Sequence, residues 1–142
     1  MKKKSRILIF DTGNVNIWVM TCAFLKSFDP DAIVVSTANY QQGKVALEVV
    51  EVLKESMLNP CNDFLSDLND LSENSFDFIL LVGDSNSQSS SSVSRFNART
   101  VELTFINKFN RHDHYIKSID TFREIRDEIK NETFKFYRDY LR

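Results

Sequence analysis

A single α/β domain with a parallel sheet is expected of this chain, on three grounds. Short runs of β-branched and aromatic residues alternate with amphipathic stretches. Those runs are continuously apolar, as strands covered on both faces are. The three glycines, Gly13, Gly43 and Gly83, each fall just past such a run. In an open parallel sheet that is the carboxyl edge, where ligands bind near the switch in strand order.

The runs at residues 6–10, 32–37 and 76–82 are predicted strands, and 100–105 is a fourth with an edge-like pattern. A helix is predicted to begin near Ile17. A second spans 45–56, with Val45, Val49, Val52 and Leu53 as its apolar stripe and Asn59-Pro60 as its stop. The last covers 121–141, with Phe122, Ile125, Ile129 and Phe136 on one side, and Thr121 and Glu124 have the form of a capping box. Ser85–Ser94 has no apolar period and is expected to be a loop on the carboxyl edge.

Composition narrows the function classes. A chain of 142 residues with 42% apolar and 27% charged side chains has the size and balance of one domain, covering 1–142. A net charge of −2 provides no basic footprint for nucleic acid, and mean hydropathy of −0.29 does not suit a chain buried in a membrane. The charge is uneven: residues 1–6 carry +4, 7–94 carry −9 and 95–142 carry +3. The apolar run Ile7–Phe10 stops at Asp11, too short for a secretion signal or a span. Cys22 and Cys61 lack metal spacing and are expected to be free thiols in a reducing compartment, which makes the cytoplasm the expected location. His112 and His114 are too few for a zinc site and are expected on an exposed loop. No cofactor and no metal is expected.

The segment after the first strand carries the chemistry. Asp11-Thr12-Gly13-Asn14-Val15-Asn16-Ile17 has the pattern of a phosphate loop, in which consecutive backbone N–H groups and a helix amino end converge on an anion. At these residues the chain resembles the low-molecular-weight protein tyrosine phosphatase family, and most closely its thioredoxin-coupled arsenate reductases. The resemblance runs through RILIFDTGN, STANYQQG, VLKESMLNP, DFILLVGDSN and FREIRDEIKNETFKFYRDYL. It implies a four-stranded parallel sheet of order 2-1-3-4 with helices on both faces.

What the resemblance implies for catalysis is loss. Asp11 stands where the family has its nucleophilic cysteine, Ile17 where it has the arginine that clamps the oxyanion, and Trp18 where a serine supports the thiolate. Asn107 and Lys108 stand at the general-acid Asp-Pro pair. The two relay cysteines of the reductases fall on Val82 and Ser89. A carboxylate cannot enter thiol–disulfide exchange, and without the arginine it repels the anion that the loop would hold. The expectation is therefore a non-catalytic binding or regulatory module, its partner an unidentified protein or a small anion at the first-strand loop. Restoring Asp11→Cys with Ile17→Arg is expected to recover slow phosphatase activity if the loop geometry survives. Ile17-Trp18-Val19-Met20 would form a partner patch if exposed and a plug if buried.

One alternative uses Asp11 differently. IFDTGNV also resembles the nucleophile motif of haloacid dehalogenase-type phosphatases, which would make Asp11 the attacking group, Ser36 or Thr37 a hydroxyl donor, Lys44 the counter-charge and Asp84 a Mg²⁺ ligand. Gly13 and Gln88 depart from that family's carboxylate pattern.

Overall fold

The computed structural model describes residues 4–11, 15–37, 45–60, 64–65, 72–82, 96–103 and 119–142. In chain order the elements are β1 (Arg6–Asp11), α1 (Val15–Phe28), β2 (Ile33–Thr37), α2 (Leu47–Glu55), β3 (Phe64–Leu65), β4 (Phe78–Val82), β5 (Arg99–Glu102) and α3 (Ile119–Phe136). A π-helical turn, Tyr137–Leu141, closes the chain. The strands form one sheet of order β3-β2-β1-β4-β5, and every pairing is parallel. Its four longer strands have the expected order, with β1 central. The two-residue β3 was not foreseen: two residues are too few to show an apolar period.

Alternation along β1 divides the core. Ile7 and Ile9 belong to the main cluster, together with Val34, Leu80, Val82 and the buried faces of α1, α2 and α3. Leu8 and Phe10 turn to the other side, where they pack with Ile79, Phe76 and Phe96. The Phe76 and Phe96 rings meet edge-on with centroids 5.3 Å apart. At the amino end of the sheet the Arg6 backbone N–H donates to the Asp77 carboxylate at 2.8 Å, fixing where β1 and β4 begin to pair.

Three helix boundaries differ from expectation. α1 begins at Val15, so Val15 and Asn16 are helical. α3 begins at Ile119, which makes Thr121 its third residue and not its cap; the Thr121–Glu124 capping box is therefore misplaced. α2 ends before Asn59-Pro60, in a Schellman turn: the Met57 N–H donates to Lys54 O and the Leu58 N–H to Leu53 O, both at 2.9 Å. Met57 holds φ at 61°, the left-handed position at which glycine is usual, and its side chain is 92% exposed. Sequence reasoning looked to the proline for the stop, whereas backbone hydrogen bonds supply it three residues earlier.

Aromatic packing seats the last turn. Phe78 meets Phe136 edge-on at 5.5 Å and Tyr140 at 5.9 Å, while the Arg99 guanidinium lies 4.7 Å above the Tyr140 ring. The Arg142 N–H donates to Tyr137 O at 2.9 Å, the five-residue reach of a π turn.

An ion cluster joins α2 to α3. Arg123 Nη2 lies 2.7 Å from Glu55 Oε2, and Arg126 Nη1 lies 2.6 Å from Glu55 Oε1. The hydrogen bonds from Arg123, and then those from Arg126, hold the Glu55 carboxyl down to about 2. A depressed carboxylate contributes its stability above its unfolded value of about 4.5 and loses it as pH falls toward 2. Glu55→Gln is expected to reduce the fall in thermal midpoint between pH 5 and pH 2, measured side by side with the parent. The effect is expected to be small and to shrink in high salt, because the cluster is solvated.

Cys22 overturns one expectation. It is disulfide-bonded, and no free cysteine occurs among the described residues. Spacing rules detect metal and redox motifs a few residues apart and say nothing about a cross-link between distant positions. A bonded Cys22 removes the ground for expecting a reducing compartment. Among the described residues no helix is long and apolar enough to cross a membrane.

Candidate functional site

β1 delivers its last residue, Asp11, to the carboxyl edge of the sheet, directly opposite Val82 of β4 in the pairing register. Two positions 71 apart in sequence, expected from the resemblance to match a nucleophile and a relay cysteine, are thereby neighbours. Val82 is 2% exposed and part of the main core. It presents an isopropyl group at this corner, with no group able to take up an electron pair.

Residues 17–20 of α1 then face inward. Ile17 is 1% exposed and Trp18 0%, with Val19 and Met20 equally buried, so the apolar quartet is core and not a partner patch. The Thr21 hydroxyl donates to Ile17 O at 2.8 Å, satisfying a polar group that would otherwise be buried without a bond. Asn16, at the start of α1, accepts the Ala46 backbone N–H through Oδ1 at 3.0 Å. Ala46 precedes α2 in extended backbone, so this bond ties the start of α1 to the start of α2. The loop pattern in the sequence gives no sign of this contact; only a polar side chain at a helix start could have suggested it.

Several cationic groups among the described residues have partners in the fold. Arg6 bonds Asn74 O and faces Asp77, Arg99 stacks on Tyr140, Arg123 and Arg126 hold Glu55, and Arg138 bonds Asp139. Among the described residues no cluster of His, Cys, Asp and Glu could hold a metal ion. Thr12, Gly13, Asn14, Gly43, Lys44, Cys61, Gly83, Asp84, Ser85–Ser94 with Ser89, Asn107, Lys108, His112 and His114 lie outside the described residues. Among the described residues, Asp11 and Val82 are register partners at the end of β1 and β4, and Asn16, Ile17 and Trp18 lie in the first turn of α1.

A parallel sheet with these strands and helices, and with a strand–loop–helix corner at its carboxyl edge, is the fold of low-molecular-weight protein tyrosine phosphatases and arsenate reductases. The chain is similar to the tyrosine phosphatase AmsI of Erwinia amylovora at a TM-score of 0.68 and 19% identity, covering 99% of this chain and 95% of that one. It is similar to a mutant of YwlE from Bacillus subtilis at 0.70 and 20%, covering 98% and 100%. An arsenate reductase in its reduced state gives 0.65 at 11%, covering 93% and 95%. At the level of sequence, no family model and no curated protein matches the chain. The shared architecture extends from end to end, whereas the side chains have diverged widely.

Proposed function

We propose that this chain is a catalytically silent version of the phosphatase fold that works as a binding or regulatory module. The observation that carries the reading is Ile17. The fold's anion clamp would need a guanidinium at this position, and the chain places a buried isoleucine there. Val82 in the core and a carboxylate residue at the end of β1 support the same reading, because neither can act in a thiol relay. The corner after β1 is where a protein partner or a small anion would be held. The solved structures with this fold do not favour the aspartyl-phosphate alternative.

Two assays test the reading. Hydrolysis of an aryl phosphate and thioredoxin-coupled reduction of arsenate are both expected to stay at the buffer rate. Loss of a nucleophile alone removes on the order of 10⁶-fold in a comparable covalent mechanism. Turnover that disappears in Asp11→Ala would overturn the reading, and a Mg²⁺ requirement for that turnover would assign Asp11 the attacking role.

A further inference from the structure

We propose that the outward face of α2 is a self-complementary surface, through which two copies of the chain pair about a two-fold axis with their α2 helices antiparallel. It is the side of the helix that the core does not use. Val49, Val52 and Leu53 are buried on the inner side, whereas Leu47 is 77% exposed and Met57, just beyond the last turn, 92%. Glu51 and Lys54 are exposed between them. Positions 47, 51, 54 and 57 follow one another at steps of four, three and three residues, the spacing of a single stripe along a helix.

The order along that stripe is apolar, acidic, basic, apolar. Read from its other end it is apolar, basic, acidic, apolar, so an antiparallel copy sets each group against its complement. Leu47 meets the partner's Met57 and Glu51 meets the partner's Lys54, and two-fold symmetry makes each contact twice. A parallel arrangement would set glutamate against glutamate and lysine against lysine, which like charge disfavours. Among the described residues neither Glu51 nor Lys54 takes part in an ion pair, whereas Glu55, at the edge of the face, is held by Arg123 and Arg126.

Met57 adds a separate argument. Its φ of 61° is a conformation that glycine adopts at less cost, yet the chain places a long, polarisable side chain there and leaves it in solvent. A contact outside the monomer accounts for a side chain that adds nothing to the core and strains the backbone. The stripe is about 15 Å long, so the pair belongs with small, transient interfaces: monomer in dilute solution, dimer at high concentration. Asn16 is bonded to Ala46, the neighbour of Leu47, which puts the two β1–α1 corners at opposite ends of the pair. Pairing therefore draws on nothing in the candidate site and stands apart from the reading of that site.

Sedimentation velocity on the full chain between about 20 µM and about 1 mM brackets a contact of this size. The wild-type sedimentation coefficient is expected to rise with concentration toward the dimer value, and the rise to shrink in high salt. Glu51→Lys and Lys54→Glu each turn two attractive pairs into two repulsive ones, and each variant alone is expected to associate at least about tenfold more weakly. An equimolar mixture of the two variants regains both attractive pairs and is expected to associate to within about threefold of the wild type. Met57→Gly is expected to raise the thermal midpoint of dilute protein, because glycine relieves the left-handed backbone, and at the same time to weaken association. The wild-type series does not depend on any variant folding, and in it the Met57 methyl resonance should shift with concentration. A chain that stays monomeric at the top of the range, an unmoved Met57 resonance, single charge variants that pair like the wild type, or a mixture that fails to pair would each overturn the proposal.

Discussion

Ile17→Arg is expected to destabilise the protein by about 3–5 kcal/mol, with a fall in thermal midpoint on the order of 10 °C. Ile17 is enclosed by the core, so the substitution removes a well-packed branched side chain and puts an unpaired guanidinium in its place. If the position lined an anion cradle, arginine would be tolerated there and phosphate would raise the midpoint of the variant. Differential scanning fluorimetry with and without millimolar phosphate separates the outcomes: a large loss insensitive to phosphate is the expected one. A stable, phosphate-responsive variant would show that the cradle retains its geometry. Burial of Ile17 also changes the outlook for Asp11→Cys with Ile17→Arg. From sequence that pair is a restoration, whereas in the folded chain its second half must first displace core.

Opening the cross-link at Cys22 is expected to have an effect of similar size. Cys22 is disulfide-bonded, and loss of a native disulfide from a small domain typically costs about 2–5 kcal/mol. Thermal unfolding of the oxidised protein should therefore fall by on the order of 10 °C when a dithiol is added, and Cys22→Ser should melt near the reduced parent without responding to the dithiol. A midpoint that ignores reductant in the oxidised parent would contradict the assignment.

The β1–α1 corner shows how much the sequence discloses and why the rest stays hidden. A continuous apolar run ending at Asp11 marks β1 without ambiguity, and the repeated pattern at β2 and β4 places the sheet's centre. Phe122, Ile125, Ile129 and Phe136 announce α3 by their spacing, and all four are buried. Boundaries moved where backbone bonds decide them, as at Met57 and Leu58. β3 is invisible because its pairing is inherited from β2 and not from any period of its own. At the site, residue identity alone reveals which chemical groups are missing. Whether Ile17 and Trp18 plug or protrude depends on how α1 rotates against β1 and α3, and no window of sequence contains that information. The bond at Cys22 is hidden for a similar reason: no short spacing in the sequence marks it.

Trp18, the one tryptophan of the chain, is fully enclosed and stands one helical turn before Cys22. Indole emission in so dry a surrounding is blue-shifted, and a neighbouring disulfide drains the excited state. The fold thus contains its own optical gauge: brightness follows the oxidation of the sulfur, and colour follows whether the corner beside it has opened to water.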